Sequence, residues 1–211
     1  MDTLSLNRFW KFRLDPQNVG LSEAWYSNTR ILETGSIDIN VPSCWEELEQ
    51  DYEGVAWYST QVDIDTDKTG QICRIVFQAS NYRTGIWING KAAGSHDGGY
   101  TPFDFEIQDF LNYGASNQLT VRIVSPIITK DIRVDDLGPN DMPHWRGGLT
   151  AGIWQSATLE FNQSAWIKHT FYKPKIKDST FGLDLELRCN ETTSQAAILK
   201  IDVCDNKGES V

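Results

Sequence analysis

Three side chains able to do chemistry stand close together in the stretch SHDGGYTPF: the imidazole of His96, the carboxyl of Asp97 and the phenol of Tyr100. Gly98 and Gly99 lie between them and Pro102 follows, so the segment reads as a loop shaped to present those groups. Two alternatives stay open: His96 orients the loop through a backbone bond, or Asp97 caps it. A second set lies in RVDDLGPNDMPHWRGGLTAGIW, where Trp145 and Arg146 are adjacent. That stretch is long, irregular and rich in Gly and Pro, which marks a functional loop more often than a plain connection. An indole offers a flat apolar face, and a guanidinium donates to several hydroxyls or to a carboxylate. Here too an alternative stands: Trp145 plugs an interdomain contact and Arg146 pairs with Asp135, Asp136 or Asp141. His144 and His169 lack partners at metal-ligand spacing, so neither a metal nor a cofactor is expected. Cys44, Cys73, Cys189 and Cys204 are far apart without a C-x-x-C and read as reduced, partly buried thiols.

The elements that must hold these residues are almost all strands. Ala56, Tyr58, Thr60, Val62 and Ile64 alternate with polar partners in AWYSTQVDI, and CRIVFQA and LTVRIV do the same. Period-two alternation predicts half-buried strands with one face on a core. IWINGK predicts a strand entering a tight hairpin, because Asn89-Gly90 tolerates the positive φ such a turn needs. Only SEAWYSN, SCWEELEQ and the IQDFLNY stretch suit a helical turn. Trp10, Trp25, Trp45, Trp57 and Trp154 are expected in the core or at its edges. Regularly spaced strands with short turns predict an all-β antiparallel sandwich in the style of a jelly roll.

Among 211 residues, 40% are hydrophobic and 23% charged, a mix that can bury a sizeable core. The net charge is −10 and the pI near 4.7, which disfavours nucleic acid and anionic membrane surfaces as partners. No apolar run approaches the ~20 residues of a membrane span. The opening MDTLSLNRFWKF lacks a signal-peptide pattern, so a cytoplasmic location is expected, or a periplasmic or secreted one where a leader has been trimmed.

Near Asn162 the character changes. WIKHTFYKPKI, TFGLDLELRC and AAILKIDVC predict three further strands, with Phe181, Leu183, Leu185, Leu187 and Cys189 on one face. An immunoglobulin-like sandwich takes about 100 residues and about seven strands, so residues 166–211 are expected to be its first strands and 1–165 a complete domain. An apolar face without its partner sheet seeks a cover, which makes a homo-oligomer through these strands an expectation.

Several blocks together carry a family resemblance. SLNRFWKFRLDPQNVGLSEAWY resembles the opening of glycoside hydrolase family 2 enzymes, the β-galactosidase, β-glucuronidase and β-mannosidase group. INVPSCWEE, GVAWYSTQVDI, WINGKAAGSHDGGYTPFDFEI and LTAGIWQSATLE then resemble later segments of that family in its order. The resemblance spans roughly residues 4–165. It implies a galactose-binding-type jelly roll, followed by an immunoglobulin-like sandwich and a catalytic (β/α)₈ barrel in the full enzyme, whose substrate is a β-glycoside. Retaining glycosidases use two carboxylates about 5–5.5 Å apart, and the family carries both on the barrel. No catalytic residue is therefore expected here. Asn190-Glu191 resembles the family's Asn-Glu acid/base pair only superficially, since it falls in a strand-to-turn region of the second unit.

The resemblance also implies that the SHDGGYTPF loop and the loop before GIW both point toward the barrel's mouth. His96, Asp97, Tyr100, Trp145 and Arg146 are then candidate carbohydrate contacts, with the indole stacking on a sugar's C–H face. Galactosidases of the family place an Asp that touches sugar and sodium in the pattern Asp-Ser-x-x-Pro. One residue more separates Asp97 from Pro102 here, which leaves the sodium ion and a galactose preference unsupported. The acidic contact that β-glucuronidases supply near Arg146 is absent as well. The non-enzymatic alternative is a stand-alone carbohydrate-binding module or lectin-like domain.

Overall fold

The computed structural model describes residues 2–27, 34–139, 141–142, 150–163, 165–189, 198–204 and 207. Among them are twelve strands: β1 (Asp2–Ser5), β2 (Phe9–Asp15), β3 (Ile37–Asn40), β4 (Val55–Ile64), β5 (Ile72–Phe77), β6 (Arg83–Ile88), β7 (Lys91–Asp97), β8 (Phe103–Glu106), β9 (Ala115–Val124), β10 (Ala157–Asn162), β11 (Ala165–Lys175) and β12 (Thr180–Cys189). They divide between two compact units, Met1–Gln163 and Ser164–Val211. In the first, a four-stranded sheet of order β1-β10-β5-β8 faces a six-stranded sheet of order β3-β2-β4-β9-β6-β7. Neighbouring strands run antiparallel, as in the ten-residue ladder from Val55↔Val124 to Ile64↔Ala115. This is the jelly-roll sandwich.

Alternation explains the core. Trp10, Phe12, Tyr58, Ile86 and Val121 of one sheet meet Ile75, Phe77, Phe103 and Leu159 of the other. Phe12 sets its edge to Tyr58 at 4.9 Å between centroids, and Phe77 stacks on Phe103 at 5.3 Å. Each such side chain contributes about 1.5–3 kcal/mol by leaving water.

Strict alternation fails on the six-stranded sheet's other face. Val55, Trp57 and Val124 point away from the core and are buried all the same, beneath Trp25, Ile127, Val134 and Met142. Trp57 lies 6.1 Å from Trp25 and 5.4 Å from Trp87, and Tyr26 stacks on Trp87 at 5.3 Å. Two irregular segments, residues 16–27 and 126–139, make this cover together with Met142. The first is held by Asp15, whose carboxylate accepts from the N–H groups of Val19 (2.9 Å) and Gly20 (2.8 Å) and from the Trp57 indole (3.1 Å). Of SEAWYSN, residues 22–27 form turns, whereas single 3₁₀ turns occupy Trp45–Glu47 and Gln108–Phe110.

The predicted hairpin joins β6 to β7 with Ile88 opposite Lys91, Asn89 at φ 51° and Gly90 at φ 78°. Asn89 Nδ2 donates to Phe110 O and Asn117 Oδ1, while its Oδ1 accepts from Gln118 N–H. Cys73 is buried and Cys44 half-buried, but Cys189 and Cys204 are exposed, against the expectation for all four.

In the second unit β11 and β12 pair as a two-stranded antiparallel sheet. Leu183 and Leu185 are half-buried, while Phe171, Tyr172, Phe181 and Leu187 are exposed. The third strand expected over AAILKIDVC is corrected: residues 198–203 carry no strand. Ile198 is 96% exposed, so no sheet face shelters the apolar positions that suggested it. No helix among the described residues is long and apolar enough to cross a membrane.

The second covering segment hangs on one buried carboxylate. Glu53 accepts from the N–H groups of Ile128, Thr129 and Lys130 and from the Thr129 hydroxyl, at 2.8–3.1 Å. Burial pushes its carboxyl up, and these hydrogen bonds outweigh that and hold it below the ordinary value. Because the folded pKa is depressed, the stabilisation is present above the unfolded value and lost as pH falls through the folded one. E53Q should cost about 2 kcal/mol or more in urea unfolding at neutral pH, with the difference from wild type shrinking in acid.

Candidate functional site

β7 runs through Asp97, so the loop expected over residues 95–103 begins only at Gly98, and His96 and Asp97 stand on the strand. Within a strand, successive side chains point to opposite faces. His96 therefore turns into the sandwich and Asp97 turns out to the covered face. The His96 ring stacks on Phe103 at 4.1 Å between centroids, and a Cβ on Gly98 would sit 2.7 Å from its Nε2. Burial holds the imidazole below its ordinary value, with the negative Asp97 opposing.

Asp97 is claimed by a residue outside both loop stretches. Arg83, directly across the ladder, donates through Nε to Oδ1 (2.8 Å) and through Nη2 to Oδ2 (2.7 Å). This bidentate pair keeps the Asp97 carboxyl well below the usual carboxylate range. Arg83 Nη1 also reaches Asp135 O (2.8 Å) and Asp136 Oδ1 (2.9 Å), so one guanidinium joins the end of β7 to the second covering segment. Beside it, buried Arg122 donates to Asp135 Oδ2 (2.6 Å) and Asn18 Oδ1 (2.7 Å), tying in the first. Asp141 accepts from Arg133. Each of the three acids weighed as a partner for Arg146 thus has an arginine already.

Tyr100 is the group this turn does present, at 49% exposed. Its ring meets the half-buried Trp154 edge-on at 5.8 Å, and the Trp154 indole donates to Gly99 O at 2.8 Å. Trp145 and Arg146 lie outside the described residues, but both flanks of their segment are in place. Asp136 lies against Arg83, and on the other side Thr150 O accepts from Asn81 Nδ2. Ala151 N–H is held by Glu46 Oε1 at 2.9 Å. Asn81 also exchanges backbone hydrogen bonds with Gly152 and lies against Gly99. One rim therefore gathers the 98–100 turn and both approaches to residues 143–149.

Arg83 stands outside every stretch that the sequence marks for chemistry, just ahead of IWINGK. Asn81, Glu46 and the exposure of Trp154 had no signal in the sequence. The rim offers aromatic edges and arginine-bound carboxylates, which suits binding and shape rather than proton transfer. Among the described residues no group of three or more His, Cys, Asp or Glu side chains is arranged to hold a metal.

The His96 environment gives a direct check. Its ring protons should titrate in NMR with a midpoint below 6.5, and D97N should lower that midpoint further by removing the opposing charge. Stability should fall as pH drops from the ordinary histidine value toward the depressed one, because the unfolded chain takes the proton first.

Residues 48–160, more than half of the chain, match the family described as glycosyl hydrolases family 2, sugar binding domain. A β-galactosidase of Thermoanaerobacter pseudethanolicus is 30% identical over 132 residues, covering 62% of this chain and 17% of that protein. A β-glucuronidase of Felis catus is 30% identical over 132 residues, covering 56% of this chain and 20% of its own length. The chain thus spans about a fifth of the curated relatives it matches. Ruminococcus gnavus β-glucuronidase in complex with D-glucaro 1,5-lactone shares the fold, with a TM-score of 0.74 at 19% identity over 100% of this chain and 37% of that one. An uncultured Clostridium sp. β-glucuronidase gives 0.71 at 24% identity, over 90% and 34%. The chain belongs to glycosyl hydrolase family 2 and carries its sugar-binding domain.

Proposed function

We propose that this chain is the non-catalytic carbohydrate-binding portion of a retaining family 2 β-glycosidase, whose rim loops help shape the mouth of a catalytic (β/α)₈ barrel. The observation that carries the reading is the convergence of the 98–100 turn and both flanks of residues 143–149 on one rim. Tyr100 supplies an exposed ring beside Trp154, Asp97 the outward carboxylate, and Trp145 with Arg146 a stacking face and a multiple donor. His96 supports the turn from the inside. The names of the relatives, β-galactosidase and β-glucuronidase, support a β-glycoside as the substrate class.

Two measurements test this. A panel of aryl β-glycosides should show no turnover by the chain alone; turnover that survives repurification and disappears on mutating one of its residues overturns the proposal. Methyl β-glucuronide and methyl β-galactoside should bind with dissociation constants of about millimolar or weaker. Their NMR shift perturbations should cluster on Tyr100, Trp154 and the Trp145 region. Micromolar affinity would favour a self-sufficient binding module, and perturbations confined to another surface would remove the rim from the site.

A further inference from the structure

Asn81 is 1% exposed, and its side chain is placed between two loops that have no ladder in common. Its Nδ2 donates to Thr150 O, where the chain returns from residues 143–149. Its Oδ1 is buried without a conventional hydrogen-bond partner and faces Gly99. The approach there is so close that a Cβ on Gly99 would overlap the Asn81 amide, reaching 2.8 Å from its Cγ. Such proximity fits a Cα–H···O contact, the weak bond available to an amide oxygen pressed against glycine backbone. The backbone of Asn81 is fixed independently, by paired hydrogen bonds with Gly152 of 3.0 and 3.2 Å. Gly99 in turn accepts the Trp154 indole N–H through its carbonyl, and Tyr100 follows it in sequence.

We propose that Asn81 is a positioning residue: its amide couples the Gly98–Tyr100 turn to the Thr150–Gly152 segment, so that the two hold one arrangement together. The Gly98–Tyr100 turn and the Thr150–Gly152 segment are then fixed together, and the aromatic pair Tyr100 and Trp154 is set before a glycoside arrives. A two-loop site joined this way binds with less ordering cost than two independent loops. Calling the coupled surface carbohydrate-facing rests on the function proposed above; the coupling itself does not.

Hydrogen exchange on this chain tests the coupling without any sugar, so its failure is separable from failure of the functional reading. In N81A, exchange of both the Trp154 indole N–H and the backbone N–H groups of Ala151 and Gly152 should rise by about tenfold or more. Amides in the middle of β4 and β9 should keep their protection. G99A should give the same paired loss, because the substitution collides only with the Asn81 side chain. In the N81A background that collision is gone, the nearest remaining Asn81 atom being Cβ at 3.4 Å, so G99A should add little. Faster exchange at only one loop overturns the proposal. So do additive effects of the two substitutions, or equal losses throughout β4 and β9, which would assign Asn81 to the core instead.

Discussion

The outer face of the six-stranded sheet is held by charge as much as by apolar contact, and the Arg83 and Arg122 guanidiniums carry that constraint. Both project from the sheet on the side away from the main core, next to Trp57 and Trp87. Arg122 is 4% exposed and would be an unpaired buried cation without Asp135 and Asn18. Arg83 would likewise leave Asp97 and Asp136 without their donor. Together with Asp15 and Glu53 these groups tie two segments without regular structure onto the sheet. The rim, where the second of those segments meets the end of β7 through Arg83, inherits its shape from this arrangement.

Much of the frame was legible because it depends on local signals. Alternating Tyr58, Val62 and Ile64 announced β4, Asn89-Gly90 announced the hairpin, and blocks in a fixed order announced the family. What depends on register was not legible. Whether β7 stops before His96 or after Asp97 is decided by pairing with Arg83 and Thr84 across the ladder. One step in that register exchanges which residue faces the core and which faces out. Polar residues alternating along the central strands also suggested a wet face. Here Arg122 and Asp15 act as anchors for a cover, which nothing in a strand's own sequence distinguishes from solvation.

The glycine pair of SHDGGYTPF has a similar history. Two glycines in a row signal a turn, and the turn is there, but the need for them lies in what their backbone packs against, for Gly98 a ring two residues back and for Gly99 a residue far away in the chain. Gly98 passes over the His96 ring, and Gly99 packs on an amide eighteen positions earlier. AAILKIDVC shows the converse error. An apolar alternation without a partner strand to satisfy its backbone remains only a pattern, as the exposed Ile198 and Ile201 show.

The hairpin turn bears on how the protein ages. Asn-Gly is the dipeptide most open to deamidation, because nothing hinders the glycine nitrogen from attacking the asparagine side-chain carbonyl carbon. At Asn89 the amide is gripped at both ends, by Phe110 O and Asn117 Oδ1 on nitrogen and by Gln118 N–H on oxygen. Succinimide closure requires that amide to rotate out of all three bonds. The same side chain that supplies the turn's backbone geometry is thereby shielded from its usual chemical decay while the hairpin stays folded, and the clock starts only when it opens.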